Sequence, residues 1–234
     1  MMTLTSRAAV IVAHGSPSDP APQERDLQAL AVKVNAALPG WEIMGATLAA
    51  EGAFDAAVKS LNAPLIYPYF MAQGYFTGRV LAPKSKDLGL RQLRPFGVEP
   101  GLADCAIKEL QTVLKDRGWQ AKDTGLLVAA HGSAVSRTSA NSTYAMAATL
   151  HSRMGFQRTR VGLIEEPPHV ETMAAGMGQA ICLPFFALNA GHMLEDMPQA
   201  LGAAEFTGAQ LPAMIDWAST PNLIADSLMR ASEQ

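Results

Sequence analysis

The sequence predicts an α/β fold of two similar halves, each a parallel sheet flanked by helices. Two observations predict it. Short apolar runs alternate with amphipathic helical stretches along the whole chain, the pattern of βαβ units. One figure also occurs twice: AAVIVAHGS at 8–16 returns as LLVAAHGS at 126–133, which puts His131 117 residues after His14, half of the 234-residue chain. A repeat of that length is an internal duplication rather than a solenoid. The expected halves are 1–122 and 123–234.

The elements follow in order. Residues 8–13 form a short apolar run of Val, Ile and Ala ended by His-Gly, a buried strand. Pro17, Pro20 and Pro22 mark a loop. Over 23–38, Leu27, Leu30, Ala31, Val34 and Leu38 recur at helical spacing until Pro39-Gly40. A strand is expected at 41–48, a helix at 51–61 and a strand at 64–70. A polar, basic stretch with Arg79, Lys84, Lys86, Arg91 and Arg94 comes next, and then a helix over 101–118. The second half repeats this order. It has a strand at 125–130, a polar loop at 133–141, a helix at 142–154 and a strand at 160–164. A helix at 169–177 and a strand at 180–186 follow. Helices at 194–204 and 222–231 close the chain, with a short strand near 211–215. The glycine pairs 45/162 and 74/191 keep the spacing of 117, whereas Pro68 and Pro184 are 116 apart and require a one-residue gap.

Composition narrows the function. Hydrophobic residues make up 49% and charged residues 17%, an ordinary globular balance. The net charge of −3 lacks the basic excess of a general nucleic-acid binder. The two cysteines, Cys105 and Cys182, form no CxxC and read as reduced thiols. No basic segment followed by an apolar core opens the chain, and the apolar stretch at 180–188 is too short to span a bilayer. A cytoplasmic protein with no membrane partner is expected.

Ligands of open parallel sheets bind outside the carboxyl ends of the strands. In the second half that edge collects His131 after the first strand, Glu165 and Glu166 after the second, and His192 in the loop after the third. Two imidazoles and a carboxylate suit a first-row divalent cation and leave positions open for exchange. Spacing alone does not choose between Glu165 and Glu166. In the first half, counting back 117 residues places Leu48 opposite Glu165 and Tyr75 opposite His192. Neither is a customary ligand, so a degenerate site is expected around His14, which then has a structural or pocket-lining role. A Ser-His hydrolase is disfavoured because no G-x-S-x-G elbow is present.

The motifs AHGS, VGLIEEPP and LPFFALNAGHMLEDMP, in that order, resemble the cobalt and iron chelatases that act on sirohydrochlorin, the single-component CbiX and CbiK types related to ferrochelatase. The resemblance spans nearly the whole chain and is strongest in the second half. It implies a chelatase-like fold of two flavodoxin-like halves facing each other across a cleft. It also implies insertion of Co²⁺ or Fe²⁺ into sirohydrochlorin or a related tetrapyrrole, in cobalamin or siroheme biosynthesis, without a nucleotide. Carried over by motif, the metal and catalytic residues are His131, His192 and Glu165. An apolar slot for the macrocycle would draw on Phe186, Met193 and Tyr75, beside Phe185, Leu188, Phe70, Met71 and Phe76. The polycarboxylate rim of the substrate calls for donors from the 133–143 loop, with Arg137 and Ser133 foremost and Arg79 and Lys84 as further candidates. His169 is a candidate supporting residue, and His151 lies outside the set. A non-catalytic metal or tetrapyrrole carrier is the alternative. A monomer and a homodimer both stay open.

Overall fold

The computed structural model describes residues 7–132 and 138–233. Its chain forms two compact units, Met1–Glu99 with Ala218–Gln234, and Pro100–Trp217. These differ from the expected halves 1–122 and 123–234. The helix expected at 101–118, the last of the first half, belongs to the second unit, and the last helix of the chain belongs to the first. Amphipathic spacing shows that a helix has a face to bury, but not which sheet layer receives it.

The first unit holds a three-stranded parallel sheet in the order β2-β1-β3, from β1 (Ala8–Ala13), β2 (Glu42–Thr47) and β3 (Leu65–Pro68). Every residue of β1 is buried, as expected for a central parallel strand covered on both faces. Helix α1 (Ala21–Ala37) packs along β2, and the Asn35 side chain pins the two by donating to the carbonyl of Ile43 and accepting from its N–H, at 2.8 and 3.0 Å. Helix α2 (Ala53–Ser60) lays Phe54 and Ala57 into a core with Val10, Val12, Ala46, Ile66 and Leu81. Burying a side chain such as Phe54 contributes about 1.5–3 kcal/mol. After β3 the chain forms a π-helical turn at Phe76–Leu81 that runs into α3 (Ala82–Asp87). Of the basic stretch, Arg79, Lys84 and Lys86 are helical, and Arg91 and Arg94 lie beyond α3. Its apolar residues are too sparse to show a period, and Pro83 sits at the start of α3, where a missing N–H is tolerated.

The second unit opens with α4 (Leu102–Arg117) and holds a four-stranded parallel sheet, β5-β4-β6-β7. Strand β4 (Gly125–Ala130) is again wholly buried. Beside it lie β5 (Arg158–Leu163) and β6 (Ala180–Pro184). Helix α5 (Thr138–Met154) starts four residues before the expected 142, so the tail of the expected loop is helical. Helix α6 (Val170–Ala174) ends earlier than expected because Gly176 takes a left-handed backbone, φ +67°. A second π-helical turn at His192–Asp196 leads into α7 (Met197–Ala203). The short strand expected near 211–215 is β7 (Ala209–Gln210), and Met214–Asp216 is a 3₁₀ turn. Pro212 has no N–H to continue the ladder. Its carbonyl instead accepts the Trp217 indole N–H at 3.1 Å. The last helix, α8 (Thr220–Ser232), packs on α1 in the first unit. There Glu99, 4% exposed, accepts from Ser227 at 2.6 Å and Arg230 at 3.0 Å, so its buried charge is satisfied.

The duplication has a register that the sequence spacing does not show. Helices α1 and α5 begin and end 117 residues apart, but β2 and β5 are 116 apart. The connection at 38–41 is one residue longer than that at 155–157. The hydrogen bonds agree. His14 O accepts from Ala49 N–H and His131 O from Glu165 N–H, both at 2.9 Å. Further on, Gly78 N–H bonds Gly74 O and Leu194 N–H bonds Ala190 O. The residue matching Glu165 is thus Ala49, not Leu48, and the residue matching His192 is Phe76, not Tyr75. The glycine pairs 45/162 and 74/191 are one step out of structural register, and Pro68/Pro184 is in register.

Candidate functional site

The carboxyl edge of the second sheet carries the site. Strand β4 runs straight into His131, whose turn is made by Gly132 at φ +74°, a left-handed backbone that glycine adopts without strain. A Cβ at Gly132 would stand 3.1 Å from Glu166 Cγ and from Leu163 Cβ, so the turn is tight as well as left-handed. Glu165 follows β5 and is held level with His131 by the backbone bond between them. His192 heads the π-helical turn after β6. The strand order β5-β4-β6 makes these three edges neighbours.

The three side chains converge. One ligating atom from each of His131, Glu165 and His192 lies within 4.8 Å of the others, with His131 and Glu165 exposed and His192 half-buried. The imidazoles meet edge to face, ring centroids 4.1 Å apart at 76°. His131 Nδ1 lies 3.1 Å from Gly132 O, and His192 Nδ1 lies 2.6 Å from Asp196 Oδ2. Both partners accept, so in the neutral imidazoles Nδ1 carries the proton and Nε2 keeps its lone pair. That is the state a metal ligand requires. Of the two adjacent carboxylates, Glu165 joins the cluster and Glu166 lies along the Gly132 turn.

The other expected residues divide. Phe186 is buried and nearly parallel to the His192 ring, centroids 6.4 Å apart. Met193 and Phe185 are buried in the second unit. Tyr75 is 68% exposed in the first unit, edge-on to Phe76. Ser133 and Arg137 lie outside the described residues. His151 is bonded to Thr159 at 3.0 Å and is apart from the cluster. His169 lines a cavity of about 270 Å³ together with Asp196, Glu171 and Gln199. Sequence reasoning did not single out Asp196. Its signal was the i, i+4 spacing from His192 on one helical turn.

The corresponding edge of the first sheet keeps His14 and loses the rest. Gly15 repeats the left-handed turn at φ +77°. The His14 ring stacks on Phe76, centroids 3.8 Å apart, and Phe70 extends the stack. Burial lowers the His14 pKa below the usual 6.5. Its Nδ1 is buried without a hydrogen-bond partner.

A duplicated α/β chain with a two-histidine, one-glutamate cluster at one sheet edge is of the chelatase class. The chain belongs to the CbiX family. The CbiX family profile matches residues 125–226. The chain is 40% identical, at a TM-score of 0.86, to a structure of CbiX described as the terminal enzyme of siroheme biosynthesis in denitrifying bacteria, covering 96% of this chain and 99% of that one. The fold also matches SirB from Bacillus subtilis with Fe³⁺, at 14% identity and a TM-score of 0.72, over 96% and 94% of the two chains. Sirohydrochlorin chelatase SirB from Bacillus subtilis subspecies spizizenii in complex with cobalt matches at 11% identity and a TM-score of 0.70, over 97% and 95%. No curated protein sequence matches the chain. Among the described residues, no helix is long and apolar enough to cross a membrane.

Proposed function

We infer that this protein inserts a divalent metal, cobalt or iron, into sirohydrochlorin or a related tetrapyrrole, as a chelatase of siroheme or cobalamin biosynthesis. The observation that carries the reading is the convergence of His131, Glu165 and His192 within 4.8 Å at one sheet edge. Membership of the CbiX family supports it. In this reading His131, His192 and Glu165 hold the metal, and Co²⁺ or Fe²⁺ is a substrate rather than a resident cofactor. Three ligands leave coordination positions open, so the ion can pass to the four nitrogens of the macrocycle. Insertion replaces two pyrrole N–H protons by the metal. Glu165 and an imidazole released from the metal are the groups placed to accept those protons. Phe186 and Met193 offer apolar contact to the macrocycle, and Arg137 and Ser133 offer donors to its carboxylates. No nucleotide takes part, and the protein works in the cytoplasm as a monomer or homodimer.

Turnover tests this. Purified protein with sirohydrochlorin and excess Co²⁺ or Fe²⁺ is expected to give the metallated absorption spectrum many times per chain. One equivalent of metallated product per chain, or none, would mark a carrier and overturn the enzyme.

A further inference from the structure

We propose that Asp196 is the positioning residue of His192, and that imidazole and carboxylate form one functional pair. This rests on the metal-site reading above. Asp196 stands outside the three-residue cluster, so it acts through His192 and not on the ion. Its Oδ2 is 2.6 Å from His192 Nδ1, and the two side chains are 43% and 35% exposed. Solvent therefore reaches both, and a water could replace the carboxylate as acceptor. What water would not do is hold the ring in one orientation or keep the proton on Nδ1. Free neutral imidazole readily places its proton on Nε2, which would remove the lone pair that Nε2 offers to a metal.

The duplication supplies an internal control. In the structural register Phe76 matches His192, and Val80, also 116 residues earlier, matches Asp196. The imidazole and the carboxylate are thus missing together. A phenyl ring has no tautomer to select, and no acceptor stands beside it. The cavities beside the two positions differ as well. Asp196 lines a cavity of about 270 Å³ with His169, Glu171 and Gln199. Val80 lines one of about 110 Å³ with Leu48, Phe54, Asp55 and Lys84. His169 and Glu171 face the Asp196 cavity, but the bond to His192 is made by Asp196. Carboxylates that orient a ligating histidine in this way are worth 10–100-fold in metal affinity.

The test uses the full chain at pH 8, with Asp196→Ala and the isosteric Asp196→Asn. Cobalt binding is read by titration calorimetry and visible absorption, and the His192 tautomer by ¹⁵N NMR of the metal-free protein. Asp196→Ala is expected to bind Co²⁺ about 10–100-fold more weakly and to move the His192 proton from Nδ1 to Nε2. Asp196→Asn, whose side-chain oxygen still accepts, is expected to keep the Nδ1 proton and recover much of the affinity. Cobalt affinity within about twofold of wild type in Asp196→Ala, or an unchanged tautomer there, would overturn the proposal. If wild type fails to bind Co²⁺, or His131→Ala binds it equally well, the metal-site reading falls instead. The tautomer measurement then still decides the pairing.

Discussion

The two sheet edges start from the same strand, the same histidine and the same left-handed glycine, yet only one builds a cluster of ligands. At the second edge His131 meets Glu165 and His192, which is tied in turn to Asp196. At the first, the equivalent places are held by Ala49, Phe76 and Val80. The ring-to-ring distance barely differs, 3.8 Å for His14–Phe76 and 4.1 Å for His131–His192. The backbone frame is therefore common to both edges, and the chemistry lies in three side chains. A frame that positions a ring is indifferent to whether the ring bears a lone pair. The function is not.

The largest effect expected is loss of the cluster. His192→Ala should reduce insertion by at least about 100-fold with the thermal unfolding midpoint little changed, because the side chain is half-exposed and its removal leaves no large cavity. His14→Ala should retain most of the activity. Initial rates beside melting curves check both. Equal losses at the two histidines would put the working site at the wrong edge.

A gain of function sharpens the same contrast. Ala49→Glu, Phe76→His and Val80→Asp together should turn the first edge into a metal site. Cobalt stoichiometry by calorimetry should rise from one to two equivalents per chain, and from none to one in a His192→Ala background. Leu48→Glu with Tyr75→His, chosen by the simple spacing of 117, should add nothing. If this second pair works and the first set does not, the structural register is wrong.

Much of this was legible from the chain alone. The apolar runs at 8–13 and 125–130 end where the strands end, because a strand buried on both faces must be apolar throughout and His-Gly stops it. The rule that ligands gather at the carboxyl edge singled out His131, His192 and the Glu165–Glu166 pair, and the choice of Glu165 came from the family resemblance. Other features were not local enough to read. One extra residue in the 38–41 connection shifts the register of everything after it, and only the ladder bonds expose the shift. The π-helical turns hide behind Gly78 and Pro83 in the first unit and Pro198 in the second, which blur helical period. Asp196 draws its meaning from a hydrogen bond, and composition does not contain hydrogen bonds. The exchange of α4 and α8 between units was invisible because each helix shows an apolar stripe without an address.

Smaller effects separate what each turn does. Gly15 and Gly132 both have φ near +75°, and a Cβ at either meets a neighbour at about 3 Å, Thr47 at the first and Glu166 at the second. Replacement of either by Ala should cost about 1–2 kcal/mol of stability from the left-handed backbone. Only Gly132→Ala should also lower activity, since the strain there is relieved against the segment that carries Glu165. Denaturant midpoints and initial rates on the pair distinguish a structural turn from a functional one. If Gly15→Ala lowers activity as much, the first edge contributes to catalysis.

The smallest effect concerns His14 itself. Burial lowers its pKa in the folded protein below the unfolded value of 6.5. The unfolded chain therefore binds a proton over a range in which the folded chain does not, and stability rises with pH across that range. The contribution is complete above pH 6.5 and is lost as pH falls toward the lowered folded value. His14→Phe removes the titrating group and keeps a ring stacked on Phe76. As pH falls from 7.5 to 5, the melting temperature of wild type should drop more than that of His14→Phe. A gap between the two that stays constant across this range would mean that His14 is solvated in the folded protein. The first edge would then be an open site awaiting a ligand, and no longer a packed remnant of one.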